Sequence, residues 1–127
     1  MRKALLSGRT IARCAFCERE CVAEDLEATH LKSRCLCEEH ERLDTNVAVL
    51  ACVTCHHCFD AGTIYVDSTG MIRTTEAAGS SQWRREMLTD LDGRPFSCFG
   101  PANKPFLAWH QREVAKAIDA PLHLSTI

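Results

Sequence analysis

The chain has 127 residues, of which 46% are hydrophobic, and a formal net charge of −2. That length suits one domain, taken here as 1–127, and excludes two ordinary ones. Five Phe, two Trp and one Tyr are a thin aromatic supply, so a staple beyond the apolar core is expected, and the mildly acidic balance excludes a global attraction to nucleic acid.

Arg2 to Ala12 places Leu5, Leu6 and Ile11 among basic residues and predicts a short helix weakened by Gly8. Cys14-Ala15-Phe16-Cys17 is a C-x-x-C turn, in which two thiolates converge on one ion. Glu20 to Asp25 is polar and loop-like, and Leu26 to Leu31 predicts a first strand that carries His30 near its end. Lys32 to Asp44 is a charged connection with helical character around Glu38 to Leu43. Val47 to Ala51 is β-branched and apolar, and pairs with the first strand as a hairpin.

From Val53 the period changes to helical. Cys55 and Phe59 share one side, while His56 and Asp60, four residues apart, share another. Gly62 ends that helix, and Thr63 to Val66 and Met71 to Thr74 form a small hairpin around Asp67-Ser68-Thr69-Gly70. Ser80 or Ser81 caps a helix from Gln82 to about Leu91, and Arg94 to Pro101 is irregular. Asn103 caps a last helix with Pro105 in its first turn, reaching about Ala120 before Pro121. The expected architecture is α+β, with a core over 12–75 and a C-terminal helical part over 80–120.

The longest purely apolar run is Val47 to Val53, far short of the roughly 20 residues that span a bilayer. Met1 to Leu6 leads into polar Ser7-Gly8-Arg9-Thr10 rather than a secretory apolar core, so a cytoplasmic location is expected. In that reducing setting nine cysteines, an odd number, point to metal rather than to a disulfide framework. Cys14, Cys17, Cys52 and Cys55 are the expected ligands of a structural Zn²⁺. Cys35 and Cys37 with His40, joined by Cys21 or Cys58, make a second set of irregular spacing. Charge is uneven: residues 1 to 13 hold Arg2, Lys3, Arg9 and Arg13 and no acid, which marks them as the expected phosphate-facing segment.

Thr29-His30-Leu31, Asn46-Val47, His56-His57-Cys58-Phe59-Asp60-Ala61-Gly62 and Phe106-Leu107-Ala108-Trp109-His110 follow in order. Together they resemble the HNH endonucleases, whose core is a ββα-metal finger, over about Ala12 to Val114. The resemblance implies a metal-dependent nuclease acting on DNA, in a phage, restriction or mobile-element setting. His30 is then the general base, Asn46 the residue that pins the hairpin and orients it, and His56 and Asp60 the ligands of a catalytic Mg²⁺, Mn²⁺ or Ni²⁺. Many of these nucleases carry Asp or His before the base as a further ligand, where this chain has Thr29. The rival expectation is a zinc-stabilised nucleic-acid-binding or protein-interaction module without catalysis. DNA is the implied partner, no membrane association is expected, and homodimerisation stays open.

Overall fold

A computed structural model describes residues 1–75 and 81–116. Helix α1 spans Arg2–Leu6 and stops where Ser7 turns left-handed (φ 52°), followed by Gly8 at φ 81°. The predicted helix therefore does not reach Ala12. Instead Ile11–Arg13 is strand β1, and Glu20–Val22, expected to be loop, is strand β2. They pair antiparallel with Ile11 opposite Val22 and Arg13 opposite Glu20.

The turn closing this hairpin holds Cys14 to Glu18. The Cys14 N–H donates to the Arg19 carbonyl at 2.9 Å, and the Glu18 N–H to the Cys14 carbonyl at 3.0 Å. The shortness of β2 conceals it in the sequence, because three residues with charged Glu20 and apolar Val22 both exposed show none of the hydrophobic alternation that identifies a strand.

Strand β3, Leu26–His30, and strand β4, Ala48–Cys52, pair antiparallel from Leu26 opposite Cys52 to His30 opposite Ala48. The second strand thus begins one residue later than expected, because Thr45–Val47 forms a 3-10 turn. The Leu31 N–H donates to the Val47 carbonyl at 2.7 Å and closes the open end of the hairpin. Between the strands lies helix α2, Glu39–Leu43, opened by a capping box between Glu38 and Glu41. Helix α3, Val53–Asp60, follows β4 directly and completes a ββα unit.

Beyond Gly62 (φ 77°), strands β5, Ile64–Val66, and β6, Ile72–Thr74, form the expected hairpin. Helix α4, Gln82–Leu91, is capped by Ser81, whose hydroxyl accepts from the Arg84 N–H at 3.2 Å. Ser80, the other candidate cap, lies outside the described residues.

Helix α5, Lys104–His110, runs into a π-turn over Gln111–Ala115. The expected continuation to Ala120 and the stop at Pro121 lie outside the described residues. Asn103 precedes α5 without capping it through its side chain. Its amide is committed to the preceding loop, accepting from the Gly100 N–H at 3.1 Å and donating to the Cys98 carbonyl at 2.7 Å. The π-turn fits Gly62 closely: a Cβ there would lie 2.8 Å from the Val114 carbonyl oxygen.

The main core joins the cysteine turn to the ββα unit. Phe16, inside C-x-x-C, is fully buried and packs on Phe59 and Phe96 at ring separations of 5.2 and 5.1 Å. Leu31, Val47, Ile64, Val66, Ile72 and Leu107 surround them. The result is an α+β fold with an early ββα unit, a β-hairpin, C-terminal helices and a tetracysteine cluster.

Candidate metal centre and adjoining groove

Two local geometries bring four sulfurs together. The β1–β2 turn presents Cys14 and Cys17 from one side, and the Ala15 N–H donates to the Leu50 carbonyl at 2.8 Å, fastening that turn to β4. Cys52 ends β4 and caps α3, its sulfur accepting from the Cys55 N–H at 3.5 Å. All four sulfurs then lie within 4.8 Å of one another. A tetrahedral zinc about 2.3 Å from each sulfur sets their separations at about 3.8 Å, so the quartet fits zinc with a small contraction.

Hydrogen bonding within the quartet divides its protons. Cys14 holds Cys17 below the ordinary thiol range and lowers Cys52 to about 6. Cys17 pushes Cys14 up, and Cys14 pushes Cys55 up. Four thiolates so close repel one another, and a dication is the group that lets all of them ionise together.

The irregular second set does not assemble. Among the described residues the quartet is the only group of three or more potential ligands that converges. Cys35 is exposed, Cys58 is buried in the core, and Cys37 points its thiol at the Lys32 carbonyl, 3.6 Å away. The exposed His40 faces Glu38 at 3.5 Å.

On another side of α3 lies a groove of about 310 Å³ lined by Ala28, His30, Ser33, Arg34, His56, Asp60, Trp109, His110 and Val114. His30 reaches it from the end of β3, and His56 and Asp60 from one face of α3. His56 Nε2 stands 3.3 Å from Asp60 Oδ2, and His56 Nδ1 stands 2.8 Å from the hydroxyl of the fully buried Thr29. Burial lowers the pKa of His30, with a smaller contribution in the same direction from the Arg34 cation. The ring is therefore neutral near pH 7, with a lone pair to offer.

Asn46 does not join these groups. It is exposed on the 3-10 turn, where its backbone N–H and its side-chain amide each donate to Asp44 Oδ1 at 2.9 Å. It lines a different hollow of about 630 Å³, shared with Arg9, Arg13, Leu50 and Cys98. The hairpin end is held by the Leu31 to Val47 backbone bond instead. His57, next to His56, is exposed.

Two contributors were not assigned from the sequence. Thr29, at the position where the resemblance calls for a further ligand, hydrogen-bonds the His56 ring. His110, quoted only within a motif, is buried with its ring stacked on Phe59 at 3.5 Å and its Nε2 2.6 Å from the Phe59 carbonyl. A carbonyl only accepts, so Nε2 carries the proton, and Nδ1 is left buried without a hydrogen-bond partner among the described residues. That bond ties α5 to the last turn of α3, one residue before Asp60.

The basic N-terminal segment is partly committed to the fold. Arg2 donates to the Leu26 and Ala23 carbonyls, Arg9 to Leu6 and Leu5, and Arg13 to Glu18. No helix among the described residues is long and apolar enough to cross a membrane. Comparison with protein-family models returns no match, and neither does comparison with curated proteins. The fold and the quartet together are those of a zinc-type ββα module, of the kind found among metal fingers.

Proposed function

We propose that this chain is a zinc-stapled ββα endonuclease of the HNH kind, hydrolysing phosphodiester bonds in DNA with a divalent cation and working as one domain. The observation that carries this reading is the meeting of His30, His56 and Asp60 in one groove. Hydrolysis needs a water stripped of a proton, charge relief on the phosphate and a stabilised leaving oxygen. A neutral His30 is the group to take the proton, and general-base help of this kind is worth about 10²-fold or more.

His56 and Asp60 would hold Mg²⁺, Mn²⁺ or Ni²⁺, and the donor set fits. Two adjacent ligands of an ion at about 2.1 Å stand about 3 Å apart, against 3.3 Å between Nε2 and Oδ2 here. A His56 Nδ1–H donated to Thr29 leaves the Nε2 lone pair turned toward Asp60, the arrangement in which imidazoles bind metals. Bound there, the ion supplies charge relief on the phosphate and on the leaving oxygen.

The second reading is a zinc-stabilised module that binds nucleic acid or protein without cleaving. It is favoured by the quartet being the only convergent set of three or more ligands among the described residues. It is also favoured by His56 having protein partners at both ring nitrogens. Plasmid nicking with added Mg²⁺, Mn²⁺ or Ni²⁺, run beside a DNA-binding assay on zinc-loaded protein, separates the two. Nicking that disappears in His30→Ala supports the nuclease. Binding with no nicking under any metal supports the module.

A further inference from the structure

Most arginines of this chain are spoken for. Arg2, Arg9 and Arg13 donate to backbone carbonyls, Arg84 donates to the Thr63 hydroxyl, and Arg73, Arg94 and Arg112 pair with Asp67, Asp90 and Glu113. Arg34 differs. It opens the 3-10 turn Arg34–Leu36, four residues after His30, and lines the groove, yet no hydrogen bond or ion pair holds its guanidinium among the described residues. The one carboxylate lining the groove, Asp60, already faces His56. A free, exposed guanidinium beside a base and a candidate cation site presents a planar fork of donors suited to two phosphate oxygens.

The same groove supplies a different surface as well. Trp109, half-buried, is the aromatic side chain lining it besides the imidazoles, and Ala28 and Val114 are apolar residues of the same lining. An indole face gives a nucleobase a stacking platform, but only a base whose own face is free can use it. In a duplex both faces of each base are covered by its neighbours, so a base must leave the stack to reach such a platform. The groove, at about 310 Å³, lies at the small end of ligand sites, which run from about 300 to 1,000 Å³.

We infer that this groove takes a single unstacked nucleotide of DNA, with the Arg34 guanidinium on its phosphate and the Trp109 indole against its base. The inference rests on reading the groove as the place where a phosphodiester is held, and it names the substrate class as single-stranded or locally unpaired DNA. The same arrangement places the Arg34 charge beside His30, where it reinforces the neutral form of the ring.

The test uses zinc-loaded protein with no added divalent metal, so that binding is read without cleavage. The other tryptophan, Trp83, is 59% exposed on α4, and Trp83→Phe leaves Trp109 as the sole indole. In that protein a short single-stranded thymidine oligomer should quench and shift the tryptophan emission, and a blunt duplex of the same length should not. Anisotropy of a labelled oligomer, which needs no tryptophan, should show affinity falling about tenfold or more in Trp109→Ala, the scale of one lost base stack. Arg34→Gln should weaken binding and make its salt dependence shallower, with Arg34→Lys recovering the slope but not the full affinity.

Equal quenching by duplex, or an Arg34→Gln protein that binds the oligomer unchanged, overturns the inference. Circular dichroism and zinc content confirm that each variant is folded. A protein that binds as described yet nicks nothing sinks the nuclease and leaves this subsite standing. One that nicks but ignores both substitutions does the reverse.

Discussion

The hydroxyl of Thr29 and Nδ1 of His56 stand 2.8 Å apart, joining the penultimate residue of β3 to the first turns of α3. Thr29 is fully buried, so its hydroxyl has no water to turn to and its partner is fixed. The bond settles which nitrogen of His56 faces Asp60. A threonine in the place where a metal ligand was sought thus acts on the ring of His56 instead.

Thr29→Val keeps the shape and removes the hydroxyl. The expected outcome is a folded protein whose apparent affinity for the activating cation falls about 10- to 100-fold, the usual cost of losing such an orienting partner. Thr29→Ser should recover most of it. Metal titrations of nicking, with melting temperature followed in parallel, check this. An unchanged metal requirement in Thr29→Val would leave His56 oriented by something else.

Cys14→Ser and Cys52→Ser should each lose zinc and unfold the chain, or collapse its yield. Zinc in a closed thiolate site contributes on the order of 10 kcal/mol of folding free energy, comparable to the whole net stability of a typical domain. Phe16 sits inside the first C-x-x-C and packs on Phe59, so the damage should pass directly into α3. Native melting temperature and zinc content in either variant would remove the metal from the fold.

The cysteine pairs were legible in the sequence because C-x-x-C spacing is a local geometry, and so was the ββα order, because strand and helix periods differ. His56 and Asp60 were legible as a pair for the same reason, being four residues apart on one helix. The β1–β2 hairpin was not, since Glu20-Cys21-Val22 is only three residues long with no alternation of polarity, and its partner follows a helical-looking run. The Thr29–His56 and His110–Phe59 contacts form only when β3, α3 and α5 are brought together, which no spacing encodes. The N-terminal arginines illustrate the opposite: a basic run that suggests phosphate contact spends part of its donors on the carbonyls of its own fold.

His30→Ala should reduce cleavage by about 10²-fold or more with fold and DNA affinity intact. Because burial and Arg34 lower the pKa of His30, the acid limb of the rate should lie below the ordinary imidazole value of about 6.5. Arg34→Gln should move that limb upward. Single-turnover nicking across pH on folded, zinc-loaded protein reads both effects, and full activity in His30→Ala would take this residue out of the chemistry.

His110 should make the fold sensitive to acid. Burial lowers its pKa from 6.5 to about 4, against an opposing pull from its bond to the Phe59 carbonyl. The unfolded chain then binds a proton near pH 6.5 that the folded chain refuses until about pH 4. Between those values the unfolded state carries more protons, so stability falls as pH falls, by up to about 1.4 kcal/mol per pH unit. Above pH 6.5 both states are neutral here and the slope vanishes. His110→Gln keeps an N–H for the Phe59 carbonyl but cannot titrate. It should cost stability at pH 7 through the lost ring stacking, yet lose less than the wild type between pH 6.5 and 5. The zinc thiolates also protonate in acid, but they do so in both proteins, and the difference between the two urea-denaturation series cancels them. Parallel slopes in wild type and His110→Gln would mean that the buried imidazole is not what senses the proton.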